Sequence, residues 1–150
     1  METVRSTIIS PIHSDRRIGP LRTTAMTFSI VAWDASTGMT GVGVATKHLA
    51  VGSLVPHARA GVGAVATQAS TNPYFGPWAL DRLEQLERQS QGELGAEAVL
   101  ESLLRDDPGR DGRQVMLVDA QGRSAAWTGS DCAGIAAHRC YPGFAVAGNY

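Results

Sequence analysis

Apolar and polar positions follow two different periods along this chain, and the change between them divides it into blocks. Thr27-Phe-Ser-Ile-Val-Ala-Trp-Asp34 and Met39-Thr-Gly-Val-Gly-Val-Ala-Thr-Lys47 are rich in β-branched and aromatic side chains and flank Ala35-Ser-Thr-Gly38. Two such runs predict a β-hairpin, because Asp, Ser and Thr fold back on the backbone and Gly permits left-handed dihedrals. Gly61-Val-Gly-Ala-Val-Ala-Thr67 predicts a third strand, with glycines that fit close backbone packing rather than an edge.

After Ser70-Thr-Asn-Pro73 the period lengthens. Pro77 suits a first helical turn, and Leu80, Leu83 and Leu86 fall on one face behind Asp81 and Glu84. A Gln/Gly break over Ser90–Gly95 precedes Ala96, Val99, Leu100, Leu103 and Leu104, which fit the i, i+3, i+4, i+7, i+8 stripe of an amphipathic helix without a miss. Asp106-Asp-Pro-Gly109 stops it. A second hairpin is predicted from Gln114–Val118 and Arg123–Trp127 around Asp119-Ala-Gln-Gly122, and a last strand from Gly143–Ala147. Strands, two helices, then strands predict an α+β domain, its helices packed on a largely antiparallel sheet.

Residues 1–25 carry Arg5, Arg16, Arg17 and Arg22 among Ser, Thr and Pro with no sustained period, and read as a disordered leader or a mispredicted start ahead of a domain over 26–150. The 150 residues suit one domain, and 13 basic against 14 acidic side chains argue against broad capture of nucleic acid or an anionic membrane. Two cysteines make no disulfide framework and no secretory apolar region is visible, so a cytoplasmic location is expected.

Gly61-Val-Gly63-Ala-Val-Ala66 matches a dinucleotide-binding fingerprint in letters only. Its glycines lie within an apolar run, and Asn72-Pro73 intervenes before any helix. Asp131, Cys132, His138 and Cys140 lack the paired spacing of a zinc site and read as packed cysteines beside a hydrogen-bonded histidine. No metal or organic cofactor is expected.

The pair with chemical promise is Thr27 with Lys47, the one lysine among the 13 basic residues. If the first hairpin turns around Ser36–Gly38, Thr27 faces Lys47 across the ribbon, within reach of a cross-strand contact. A chain starting at Met26 would lose that Met and leave Thr27 with a hydroxyl nucleophile and a free α-amine base on one residue. A nearby ammonium would lower the amine's pKa towards neutrality.

Thr27–Asp34, Gly43-Val-Ala-Thr-Lys47 with Leu49–Ser53, Gly61–Ala69, Thr71-Asn-Pro73, Asp107-Pro-Gly-Arg110 and Gly148-Asn149 together resemble the domain of unknown function 1028 family, grouped with the N-terminal nucleophile (Ntn) hydrolases. The resemblance implies a four-layer αββα sandwich, Thr27 as nucleophile and Lys47 as the charge that tunes it. Gln68, Thr71, Asn72 and Asn149 become candidates for hydrogen bonds to substrate or oxyanion. Family members continue past the Gly-Asn block, so the sandwich is expected to be incomplete at its C-terminus, with a sheet face or edge uncovered. The expected function is hydrolysis of a small-molecule amide through an N-terminal threonine, with possible homo-oligomers. The alternative is a binding or assembly module on the same sandwich without catalysis.

Overall fold

The computed structural model describes residues 26–90, 95–132 and 134–150. The leader read over 1–25, and positions 91–94 of the break between the helices, lie outside the described residues. The elements run β1 (Thr27–Trp33), β2 (Thr40–Thr46), β3 (Pro56–Arg59), β4 (Gly63–Ala69), α1 (Phe75–Ser90), α2 (Ala96–Arg105), β5 (Arg113–Asp119), β6 (Ser124–Thr128), β7 (Ala136–Tyr141) and β8 (Phe144–Asn149). They form two antiparallel four-stranded sheets, ordered β2-β1-β8-β7 and β3-β4-β5-β6.

Alternation along the strands sorts side chains into two cores. Val65, Val115, Leu117 and Ala125 face the helices and pack with Leu80, Leu83, Val99, Leu100, Leu103 and Leu104. All five apolar positions predicted for α2 are buried. The opposite faces of β4 and β5 turn Ala64, Ala66, Met116 and Val118 toward Val31, Ala145 and Ala147 of the first sheet. At about 1.5–3 kcal/mol per buried aliphatic side chain, these two layers of contact dominate the cohesion of the fold.

Polar anchors orient the helices. Asp119, at the end of β5, accepts from the Ala96 amide at 3.3 Å and pairs with Arg123 at 2.6 Å, placing a carboxylate at the N-terminus of α2. Arg59 on β3 reaches Asp81 and Glu84 of α1. Gly63 is required by crowding: a Cβ there would lie 2.4 Å from the Val118 carbonyl oxygen, so its strand packs closely as the glycines suggested.

Three expectations are corrected. The first hairpin pairs Thr27 with Thr46 and Trp33 with Thr40, one residue out of the register that set Thr27 against Lys47. Asp34 causes the shift: its carboxylate accepts from the Ser36 amide at 3.0 Å and the Thr37 hydroxyl at 2.6 Å, and Gly38 closes the loop at φ 71°. The turn therefore has six residues, Asp34 to Met39, and an even loop moves the register by one. Two strands, β3 and β7, were not anticipated, because Pro56-His-Ala-Arg59 and Ala136-Ala-His-Arg-Cys-Tyr141 lack clear apolar alternation.

The described residues make three layers, helices on one sheet and that sheet on the other, where the resemblance implied four. Among the described residues nothing packs on the outer face of the first sheet: Phe28 is 52% exposed, and Tyr141 stacks on Phe144 with ring centroids 4.8 Å apart. No described helix is long and apolar enough to cross a membrane.

Candidate functional site

At one end of the sandwich the apolar core between the sheets gives way to polar side chains. There a cleft of about 330 Å³ opens, lined by Thr27, Gln68, Thr71 and Asn149 among others. Thr27 begins β1 and lies between two neighbours, Thr46 on β2 and Asn149 on β8. Its hydroxyl is 3.1 Å from that of Thr46.

Behind the cleft, six strands contribute to one hydrogen-bonded cluster. Gln114 fixes its sense. Its Nε2 lies 3.0 Å from the Gly148 carbonyl, 3.2 Å from that of Ala137 and 2.9 Å from Thr128 Oγ1. Two backbone carbonyls can only accept, so the amide nitrogen must face them and Oε1 must point the other way. Oε1 then accepts from Gln68 Nε2 at 2.6 Å and Asn149 Nδ2 at 3.0 Å, and Gln68 Oε1 accepts from the Ser29 hydroxyl at 2.6 Å. Thr128 Oγ1 also lies 2.9 Å from His138 Nδ1. Burial, and then the Arg139 charge, hold the His138 imidazole below its usual pKa.

Gln68 and Gln114 are 1% and 0% exposed. Buried amides without partners would carry a desolvation penalty of about 1–3 kcal/mol each, so mutual satisfaction is a condition for burying them. Gln68 reaches the cleft wall with its amide engaged inward.

The loop after β4 is held from below. Ala69 lines the cleft in the left-handed region at φ 65°, a conformation that a side chain adopts at a cost of about 1–2 kcal/mol. Ser70 follows, its amide donating to the Gly112 carbonyl and its carbonyl accepting from Arg113. Arg113 in turn donates to both oxygens of Asp107, and this contact holds the Asp107 carboxyl below its usual pKa. The Asp107-Pro-Gly-Arg110 block thus supports the cleft loop.

Of the predicted site residues, Thr27, Gln68, Thr71 and Asn149 meet at the cleft. Asn72 stands beside it as a turn residue: its Oδ1 accepts from the Tyr74 amide at 3.1 Å, and its carbonyl accepts from the Phe75 amide that opens α1. Lys47 follows Thr46 just outside β2 and is exposed. Ser29, Gln114, His48 and Asp131 were missed. Gln114 carried a readable signal, a large polar residue heading the apolar run Val115–Val118. Cys132 also borders the cleft, where burial pushes its thiol above its usual pKa, which disfavours the thiolate. Among the described residues, no three His, Cys, Asp or Glu side chains are placed to hold a metal ion.

Comparison with known proteins gives two findings. The chain matches the family of unknown function DUF1028 over residues 27–150. Its fold matches the crystal structure of protein SPO2555 from Silicibacter pomeroyi, which carries the same family designation, with a TM-score of 0.74 and 30% identity over 83% of this chain. The match covers 52% of that protein, so the chain spans about half its length. No curated protein matches. A family match that begins at Thr27 and runs through every strand and helix described above makes this chain a member of the DUF1028 family.

Proposed function

We propose that the domain is an amide hydrolase of the N-terminal nucleophile type, with Thr27 as nucleophile once the residues before it are removed. The observation that carries this reading is the position of Thr27: the first residue of β1, at a cleft, flanked by Thr46 and Asn149. The Thr27 hydroxyl attacks the amide carbon, and its proton passes to the Thr27 α-amine. The tetrahedral oxyanion collapses, the C–N bond breaks, and the leaving amine takes that proton. Water then attacks the acyl ester and gives its proton to the α-amine. Collapse releases the acid and restores the Thr27 hydroxyl. Asn149, through the Nδ2 hydrogen that Gln114 does not take, is the candidate donor at the reacting carbonyl, Thr71 lines the cleft with its hydroxyl donating to the Ala69 carbonyl, and Gln68 and Asn72 hold the walls in place.

This reading assigns proton transfer to the amine alone, because the observed register removes the facing of Thr27 by Lys47. One observation favours the second reading, a binding module without catalysis: the described partner of Thr27 Oγ1 is another hydroxyl, Thr46, rather than a base.

N-terminal sequencing of the purified full chain, combined with mass analysis after treatment with a β-lactone electrophile, separates the two. Hydrolysis predicts a chain beginning at Thr27 and one acyl adduct, retained in Thr27→Ser and lost in Thr27→Ala. Turnover by protein that keeps the residues before Thr27 overturns the mechanism, and absence of adduct on a free Thr27 selects the binding module.

A further inference from the structure

We infer that the cleft selects a ligand carrying a primary ammonium group on a short apolar stem. Its identification as an amide substrate rests on the proposed hydrolase; the charge preference itself rests on the atoms that face the cleft.

Among the described lining residues the fixed charge is that of Asp131, with no Lys or Arg beside it. Asp131 is held by its backbone, its amide donating to the Asp111 carbonyl at 2.7 Å. Among the described residues its carboxylate has the Ser130 hydroxyl at 3.5 Å, at the limit of a hydrogen bond. A carboxylate in a concave site whose described lining includes no Lys or Arg side chain raises the local concentration of cations and repels anions.

The Asn149 amide points the same way. Asn149 must turn Nδ2 to Gln114 Oε1, since the Gly148 and Ala137 carbonyls fix that amide, and its own Oδ1 is left as an acceptor. The Asp131 carboxylate and the Asn149 amide oxygen are both acceptors, and an ammonium group offers three donors. Val51, Leu54 and Val55 supply an apolar wall for the stem, in a volume of about 330 Å³ that suits a small molecule.

The test is binding without turnover. The full chain, isotope-labelled, is titrated in separate NMR experiments with n-butylammonium and with butyrate, matched in length and opposite in charge. Butylammonium is expected to shift the amides of Asp131, Asn149 and His48, with butyrate moving them little. Asp131→Asn should weaken butylammonium binding about two- to fivefold, the range for one exposed ion pair. Equal response to both ions, or unchanged affinity in Asp131→Asn, overturns the inference. Thr27→Ala is expected to retain the charge preference, so loss of hydrolysis and loss of ammonium selection are read separately.

Discussion

Gln68 and Gln114 stand directly opposite each other on adjacent strands, and the amide of the first donates to the carbonyl of the second over 2.6 Å. Both are almost fully buried; turning Gln114 over would set its Oε1 against the Gly148 and Ala137 carbonyls, and turning Gln68 over would set its Oε1 against that of Gln114. The orientation of Asn149 at the cleft follows from this pair.

Gln114→Leu should therefore destabilise the fold by about 3 kcal/mol, because it strands Gln68 Nε2, Asn149 Nδ2 and two carbonyls together. Gln114→Glu keeps the shape but removes the donors, and should lose at least as much. Urea unfolding of the two variants and the parent measures both.

Ala69 at φ 65° predicts opposite effects from two small substitutions. Ala69→Gly should be neutral or slightly stabilising, relief of strain offsetting extra freedom in the unfolded chain. Ala69→Val should lose about 1–2 kcal/mol, since a β-branched side chain tolerates the left-handed region poorly. Thermal unfolding distinguishes the two.

Asp107 carries an acid-sensitive contribution. Arg113 holds its folded pKa below that of an ordinary aspartate, so the stabilisation is complete above about 4 and is lost as pH falls further. Asp107→Asn should lose about 2 kcal/mol at pH 7 and flatten the acid limb of the stability profile, measured by urea midpoints from pH 7 to pH 3.

His138 acts in a higher window. Its folded pKa is lowered from 6.5, so the unfolded chain binds the proton more readily, and stability should fall as pH drops below about 6.5. His138→Asn, whose side-chain amide can accept from or donate to the Thr128 hydroxyl, should remove this dependence. The same midpoints between pH 7 and pH 5 report it.

Much of the fold was legible because local patterns decided it. The five apolar residues of α2 needed nothing beyond their spacing, and Asp119-Ala-Gln-Gly122 marked the second hairpin. The strands that escaped, β3 and β7, are defined by their neighbours, since Pro56-His-Ala-Arg59 becomes a strand only against Gly63–Ala66. At the site, Thr27, Gln68, Thr71 and Asn149 emerged from blocks of sequence, whereas Ser29 and Gln114 meet Gln68 across separations of 39 and 46 residues that no local pattern encodes. The error at Lys47 has the same root: one Asp side chain, by gathering Ser36 and Thr37, decided the parity of a whole ribbon.

That parity has a wider effect in β1, where odd positions look inward and even positions outward. Inserting or deleting a single residue in Thr27–Trp33 would exchange the two sets, presenting Phe28 to the cleft and hydroxyls to the open side of the sheet. Reactivity and surface wetting are thus written into one strand as alternate letters, and a change of phase in either rewrites the other.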